Sequence, residues 1–187
     1  MTNPFRTHFL KAEEFNKDFF DGYLTGNQHP GGYWHYDQAY TDLDWEQIAN
    51  IFLMHGLSGS VLEIGCAKGK LVKELHRRGL EAYGLDISDY AVRTGEPWIE
   101  VGDARNLSRF SEGQFDFIIS HQFFTMLSEE DVRKAVDEMN RVAKKQIHII
   151  QEAPDTRFNI SHPISWWGSL GFRKAVLIGE ENNQNIA

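Results

Sequence analysis

Cysteine is nearly absent from this 187-residue chain. Cys66 stands alone, so no internal disulfide can staple the fold, and a reducing compartment suits it. No run of eighteen uncharged apolar residues occurs, and Arg6, His8, Lys11, Glu13 and Glu14 break up the N-terminus. A membrane-spanning helix and a signal-peptide core are both excluded on that reading, and a cytoplasmic location is expected. Positive charge is scarce as well. The 19 lysines and arginines face 27 aspartates and glutamates, a net charge of −8, which argues against a surface built to grip a phosphate backbone. The short basic runs, Lys73 to Arg78 and Arg141 to Lys145, fall at the ends of predicted helices, where cations favour the helix dipole. None of the 8 histidines stands in a His-x-x-x-His spacing, so no metal is expected.

What remains is the composition of an ordinary globule, 41% hydrophobic and 25% charged, long enough for one domain that buries about 70% of its unfolded surface. The whole chain, 1–187, is read as that one domain, with a polar tail at 179–187. From residue 60 onward, short apolar runs alternate with helical patterns, the signature of a parallel α/β sheet covered on both faces. Strands are predicted near 60–64, 81–86, 98–101, 115–120, 146–151 and 172–178. The best helix follows Ser128, with Asp131 in its first turn and Val132, Ala135, Val136, Met139, Val142 and Ala143 on one stripe. A shorter one follows Gly69, turns Leu71, Val72 and Leu75 inward and ends near Gly79.

Residues 1–59 read as a lid: an aromatic helix from about Phe9 to Phe20, an irregular stretch from Gly22 to Tyr40, and a helix from about Trp45 with Asp44 and Gln47 as a capping pair. The segment Gly31-Gly32-Tyr33-Trp34-His35-Tyr36-Asp37 is either a ligand-facing loop or an aromatic cover over the core.

Among these elements the run Val61-Leu62-Glu63-Ile64-Gly65-Cys66-Ala67-Lys68-Gly69 carries the most chemistry. An apolar strand enters a turn of small residues and then a helix, so the backbone can bend sharply and approach a ligand beside unpaired helix N–H groups. The turn lacks the Gly-x-Gly-x-x-Gly of dinucleotide sites, which makes an NAD-dependent oxidoreductase the weaker reading. With Gly84-Leu85-Asp86-Ile87-Ser88, Gly102-Asp103-Ala104 and Phe115-Asp116-Phe117-Ile118-Ile119-Ser120, the turn resembles the class I S-adenosylmethionine-dependent methyltransferases over roughly residues 45–178.

That resemblance implies a three-layer Rossmann-like sandwich with a mostly parallel sheet, and S-adenosylmethionine as cofactor. It implies that Glu63, Gly65, Ala67 and Gly69 surround the methionine part, with Ala67 standing where the family has a glycine and expected to keep ordinary backbone angles. Asp86 would accept from both ribose hydroxyls, Ile87 would lie against adenine, and Asp103 with the Ala104 amide would receive the adenine edge. Asp103 read without the family is a solvated turn residue. His121 borders the methionine moiety and the acceptor, either as general base or as a binding residue. Asn159 and His162, on the segment before a Trp-bearing turn, would face an acceptor pocket opposite Trp34, His35 and Tyr36. His162 read without the family is more often a turn residue before proline.

The family sheet ends in two antiparallel strands, whereas here one C-terminal strand is predicted, a reduced edge that a partner subunit or second copy would cover, or a chain that stops short of its natural end. The expectation is a transferase moving a methyl group to an oxygen or nitrogen of a small molecule. A methyltransferase-like binding or regulatory subunit without catalysis is the rival.

Overall fold

The computed structural model describes residues 10–151, 160 and 162–180. Six strands form one sheet: β1 (Ser60–Ile64), β2 (Glu81–Asp86), β3 (Ile99–Val101), β4 (Phe115–His121), β5 (Ala143–Gln151) and β6 (Ala175–Glu180). Their order is β3-β2-β1-β4-β5-β6, and every pairing is parallel. The strand order reverses between β1 and β4, so the loops leaving these two strands diverge and open a crevice at their C-terminal ends.

Alternation along the strands divides their buried residues between two cores. Val61, Ile119, Ile147 and Ile149 face α3 (Asp42–Met54) and α4 (Lys70–Arg77), where Phe52, Leu71, Val72 and Leu75 are buried. Leu62, Ile64, Ile118 and Ile150 face α6 (Glu129–Val142) and Trp167 of α7 (Ile164–Gly168). Each fully buried Leu or Ile contributes about 1.5–3 kcal/mol, so both helical layers are held chiefly by these stripes. α5 (Asp89–Thr94) follows β2 and is capped by Ser88, whose hydroxyl accepts from the Ala91 amide. No described helix is long and apolar enough to cross a membrane.

The first part of the chain departs most from expectation. Instead of one aromatic helix there are a 3-10 turn at Ala12–Glu14 and a four-residue helix, α1 (Lys17–Phe20). Asn16 makes the break, because its side chain accepts from the Asp18 and Phe19 amides and so starts a new helix. A second 3-10 turn (Gly22–Leu24) and α2 (Tyr36–Ala39) complete this cover. α3 starts earlier than predicted, because the capping box is formed by Thr41 and Asp44 rather than by Asp44 and Gln47. At the other end, β6 begins at Ala175 rather than 172. Phe172 packs into the core against Phe124 and His148, and Lys174 turns the chain at φ 48° before the strand can pair.

Candidate functional site

The crevice beyond β1, β2, β3 and β4 is a cavity of about 580 Å³, roofed by the cover. The carboxyl ends of four strands supply its floor, and the rings of Phe15, Phe19, Phe20, Tyr33, Tyr36 and Tyr40 are among its upper walls.

Glu63 is the fourth residue of β1 and shares a face with Val61, which turns it toward the cover and the cavity. It is buried, and its Oε2 has no hydrogen-bond partner in the protein. Burial, reinforced by the charge of Asp86, pushes its pKa up to about 8. A buried acceptor without a donor is what a bound ligand with N–H, O–H or cationic character would satisfy.

Asp86 ends β2. Its Oδ2 accepts from the Ala67 amide at 2.7 Å and its Oδ1 from the Ser88 amide at 2.9 Å. Burial raises its pKa, and the amides of Ser88, Ala67 and Ile87 work against that rise. The carboxylate therefore organises the glycine turn while keeping one lone-pair direction on each oxygen for a ligand. Ile87 and Ala104 line the same wall.

Gly65 has φ 73°, and a Cβ there would sit 2.5 Å from Phe123 Cδ2, so the loop after β4 closes directly on the bare backbone. Ala67 lines the cavity with φ 48°, not the ordinary angles expected of it. From that left-handed backbone its amide donates to Asp86 Oδ2. Ala67→Gly is thus expected to stabilise the protein by about 1 kcal/mol, because the left-handed penalty on an L-residue disappears, and a urea melt measures it. No gain in that melt would show the angle to be unstrained.

Gly69 lies outside the cavity lining. It caps α4 at φ 74°, and a Cβ would press on Ile99 Cγ2 at 2.6 Å, so its role is to join turn and helix. Asp103 lines the cavity, but its carboxylate is also held by Arg105, with Nε 2.9 Å from Oδ1 and Nη2 2.7 Å from Oδ2. That bond keeps its pKa below the usual carboxylate range. Arg105 reaches on to Asp131 of α6 at 3.2 Å, and both line the cavity, so the pair fixes the loop after β3 to α6. His121 ends β4 on the face shared with Ile119, and its ring meets Tyr40 and Trp45 edge-on at 6.4 Å each.

Of the acceptor-side residues, only Tyr36 lines the cavity among those described. Trp34 is 53% exposed, and His35 stacks on Tyr23 at 4.1 Å outside it. Tyr33 and Tyr36 on either side of them line the cavity, and the bend at Trp34 carries the two residues between away from it. His162 stacks on Trp166 at 3.7 Å and meets Glu129 at 3.0 Å, which makes it a brace between α7 and α6 rather than a pocket residue. Asn159 lies outside the described residues. Reading the sequence missed Arg105 and gave Gln122 and Phe123, beside His121, no role of their own. Gln122 lines the cavity at φ 54°, a strained angle with no signature in sequence.

One group of three ligand-type side chains comes together among the described residues: Asp21, His35 and Asp37. The Lys68 ammonium bonds both carboxylates, at 2.6 and 2.9 Å, and supplies the positive charge they require.

Residues 62–150 match the family model of a methyltransferase domain. No curated protein matches the chain. Among solved structures it is similar to a protein from an antibiotic biosynthesis pathway of Anabaena variabilis, at 25% identity and a TM-score of 0.46 over 53% of this chain and 42% of that one. It is also similar to a SAM-dependent methyltransferase of Methanosarcina mazei, at 27% identity and 0.46 over 50% and 52%. The chain thus matches about half the length of these proteins or less.

Proposed function

We propose that this chain, whose residues 62–150 match the family model of a methyltransferase domain, is a class I S-adenosylmethionine-dependent methyltransferase that transfers a methyl group from S-adenosylmethionine to an oxygen or nitrogen of a small molecule. The observation that carries the reading is a roofed cavity at the strand-order reversal, where the buried, partnerless Glu63 Oε2 and the bare backbone at Gly65 fit a compact ligand rich in donors. The cofactor supplies an activated sulfonium methyl group, so the protein's share is orientation and exclusion of water.

In this reading Asp86 holds the ribose hydroxyls, Ile87 and Ala104 flank the adenine, and Asp103 receives its amino edge. Glu63 and the turn at Gly65 and Ala67 hold the methionine part. The aromatic cover keeps water from the reacting atoms. His121, on the cavity wall at the end of β4, holds the proton that leaves the acceptor. A cavity of about 580 Å³ is the size of a small-molecule site, which supports a small acceptor.

Calorimetric titration tests the cofactor first. S-adenosylmethionine and S-adenosylhomocysteine are expected to bind at about micromolar Kd and NAD not at all. With an acceptor in hand, His121→Ala is expected to lower kcat far more than cofactor affinity. Equal loss of both would make it a binding residue only.

A further inference from the structure

Three facts about the cover belong together. Its helical pieces are three or four residues long, far too short to hold their shape alone. Two of its acids, Asp21 and Asp37, follow directly on cavity-lining rings, Phe20 and Tyr36. Both acids bond the ammonium of Lys68, which follows directly on Ala67, the cavity-lining residue of the glycine turn.

The contact is a built one. The Lys68 side chain is 5% exposed and that of Asp21 3% exposed. Asp21 also accepts from the Tyr90 hydroxyl at 3.0 Å and from the Tyr36 amide at 3.3 Å, so α5 and both arms of the cover meet on one carboxylate. The rings of Tyr36 and Tyr90 stand 5.8 and 6.0 Å from the ammonium, which adds cation–π attraction. Burial by itself would pull the Lys68 pKa down, and the bonds to Asp21 and Asp37 more than reverse it. A buried cation held this way is costly to break on one side and indifferent to water, which makes it a fixed joint rather than a sliding surface contact.

We propose that Lys68, clasped by Asp21 and Asp37, is a positioning residue that ties the aromatic cover to the cofactor-binding turn and so sets how long the cofactor stays bound. The clasp residues do not line the cavity. They act through Ala67, Phe20 and Tyr36, each one residue away. Preorganising the roof in this way removes an ordering cost that binding would otherwise meet, and slows release by holding the exit shut.

The inference rests on the cofactor reading above, and the test separates the two. The probe is S-adenosylhomocysteine, with dissociation rates measured by stopped flow and amide exchange followed with and without it. The paired variant D21N/K68M removes both charges, so neither is left buried alone. It is expected to release the probe about tenfold faster and to exchange faster in segment 17–40, while β1, β4 and β5 keep their protection.

A half-exposed partner offers a gentler variant, should the pair fail to fold. D37N leaves Asp21 on Lys68 and is expected to speed release about threefold. Release within experimental error of wild type in either folded variant overturns the proposal. So does a loss of protection shared equally by core and cover, which would make the clasp a general stabiliser. If the wild-type protein binds no probe, the cofactor reading fails, and the clasp is judged on whether D21N/K68M loosens segment 17–40 selectively.

Discussion

Replacing Asp86 by alanine is expected to weaken S-adenosylhomocysteine binding about 100-fold, the loss of two hydrogen bonds to a charged group at about 1.5–3 kcal/mol each, tempered by water entering the site. The structure adds a second consequence. Asp86 is the acceptor for the Ala67 and Ser88 amides, so the alanine variant strands two N–H groups in a buried turn. Each costs about 1–3 kcal/mol, so the melting temperature falls along with the affinity. Asp86→Asn distinguishes the two effects. Its amide offers one acceptor where the carboxylate offers two, so either Ala67 or Ser88 meets a donor, and stability falls less than in the alanine variant while ribose recognition is still impaired. Calorimetry and a thermal melt on both variants decide it. Alanine binding within about threefold of wild type would remove Asp86 from the ribose and leave it as a turn organiser.

That double duty marks where the sequence stops being legible. The strand that ends in Asp86, the turn at Gly65 and the helix after Ser128 are local patterns, an apolar run, a small-residue break and a 3.6-residue stripe, and each appears at its predicted place. Their energetics are carried by neighbours in the chain or by one packed face. The cover is different. Asn16 starts Lys17–Phe20 locally, but what holds that helix and Tyr36–Ala39 in place is distant in sequence: the aromatic contacts of Phe19, Phe20, Tyr33 and Tyr36 and the reach of Lys68 across 47 and 31 positions. Nothing near Lys68 in the sequence marks it as buried, yet two acids far off in sequence converge on it in the interior. The same blindness applies to Trp34 and His35. Tyr33 and Tyr36 line the cavity and the two residues between them do not, a spacing set by the bend at Trp34 and the start of α2 rather than by any period in the sequence. Arg105 shows the converse: its partner Asp103 is a candidate from the sequence and does line the cavity, but the bidentate clamp that orients it has no sequence signal.

The second large effect concerns pH. Glu63 has its pKa pushed up to about 8 by burial and by Asp86, against an ordinary value of 4.5. Below the ordinary value the carboxyl is protonated whether the chain is folded or not. Between the two values the folded state holds a proton that the unfolded state has released, so folding stability falls as pH rises through this window and levels off above it.

His148 works in the opposite sense, because burial pushes its pKa down to about 3 from 6.5, and its contribution to stability is lost as pH falls below 6.5. The two windows overlap in mild acid and separate above pH 6.5, where only Glu63 is still changing. From there to pH 9 the wild-type protein without ligand is expected to lose about 2 kcal/mol that Glu63→Gln does not lose, at about 1.4 kcal/mol per pH unit over the titrating range.

Urea melts of both proteins at closely spaced pH values measure that difference directly. Parallel curves would show that Glu63 is ionised in the empty cavity after all, stabilised by donors the buried Oε2 does not have in the protein. A cationic cofactor reverses the balance, since it favours the carboxylate over the acid. Its binding is therefore expected to release a proton near pH 7 and to tighten as pH rises toward 8, and titrations in two buffers of different ionisation enthalpy count that proton. In Glu63→Gln the proton count drops toward zero and the pH dependence of affinity flattens, which ties the stability curve and the binding curve to one side chain.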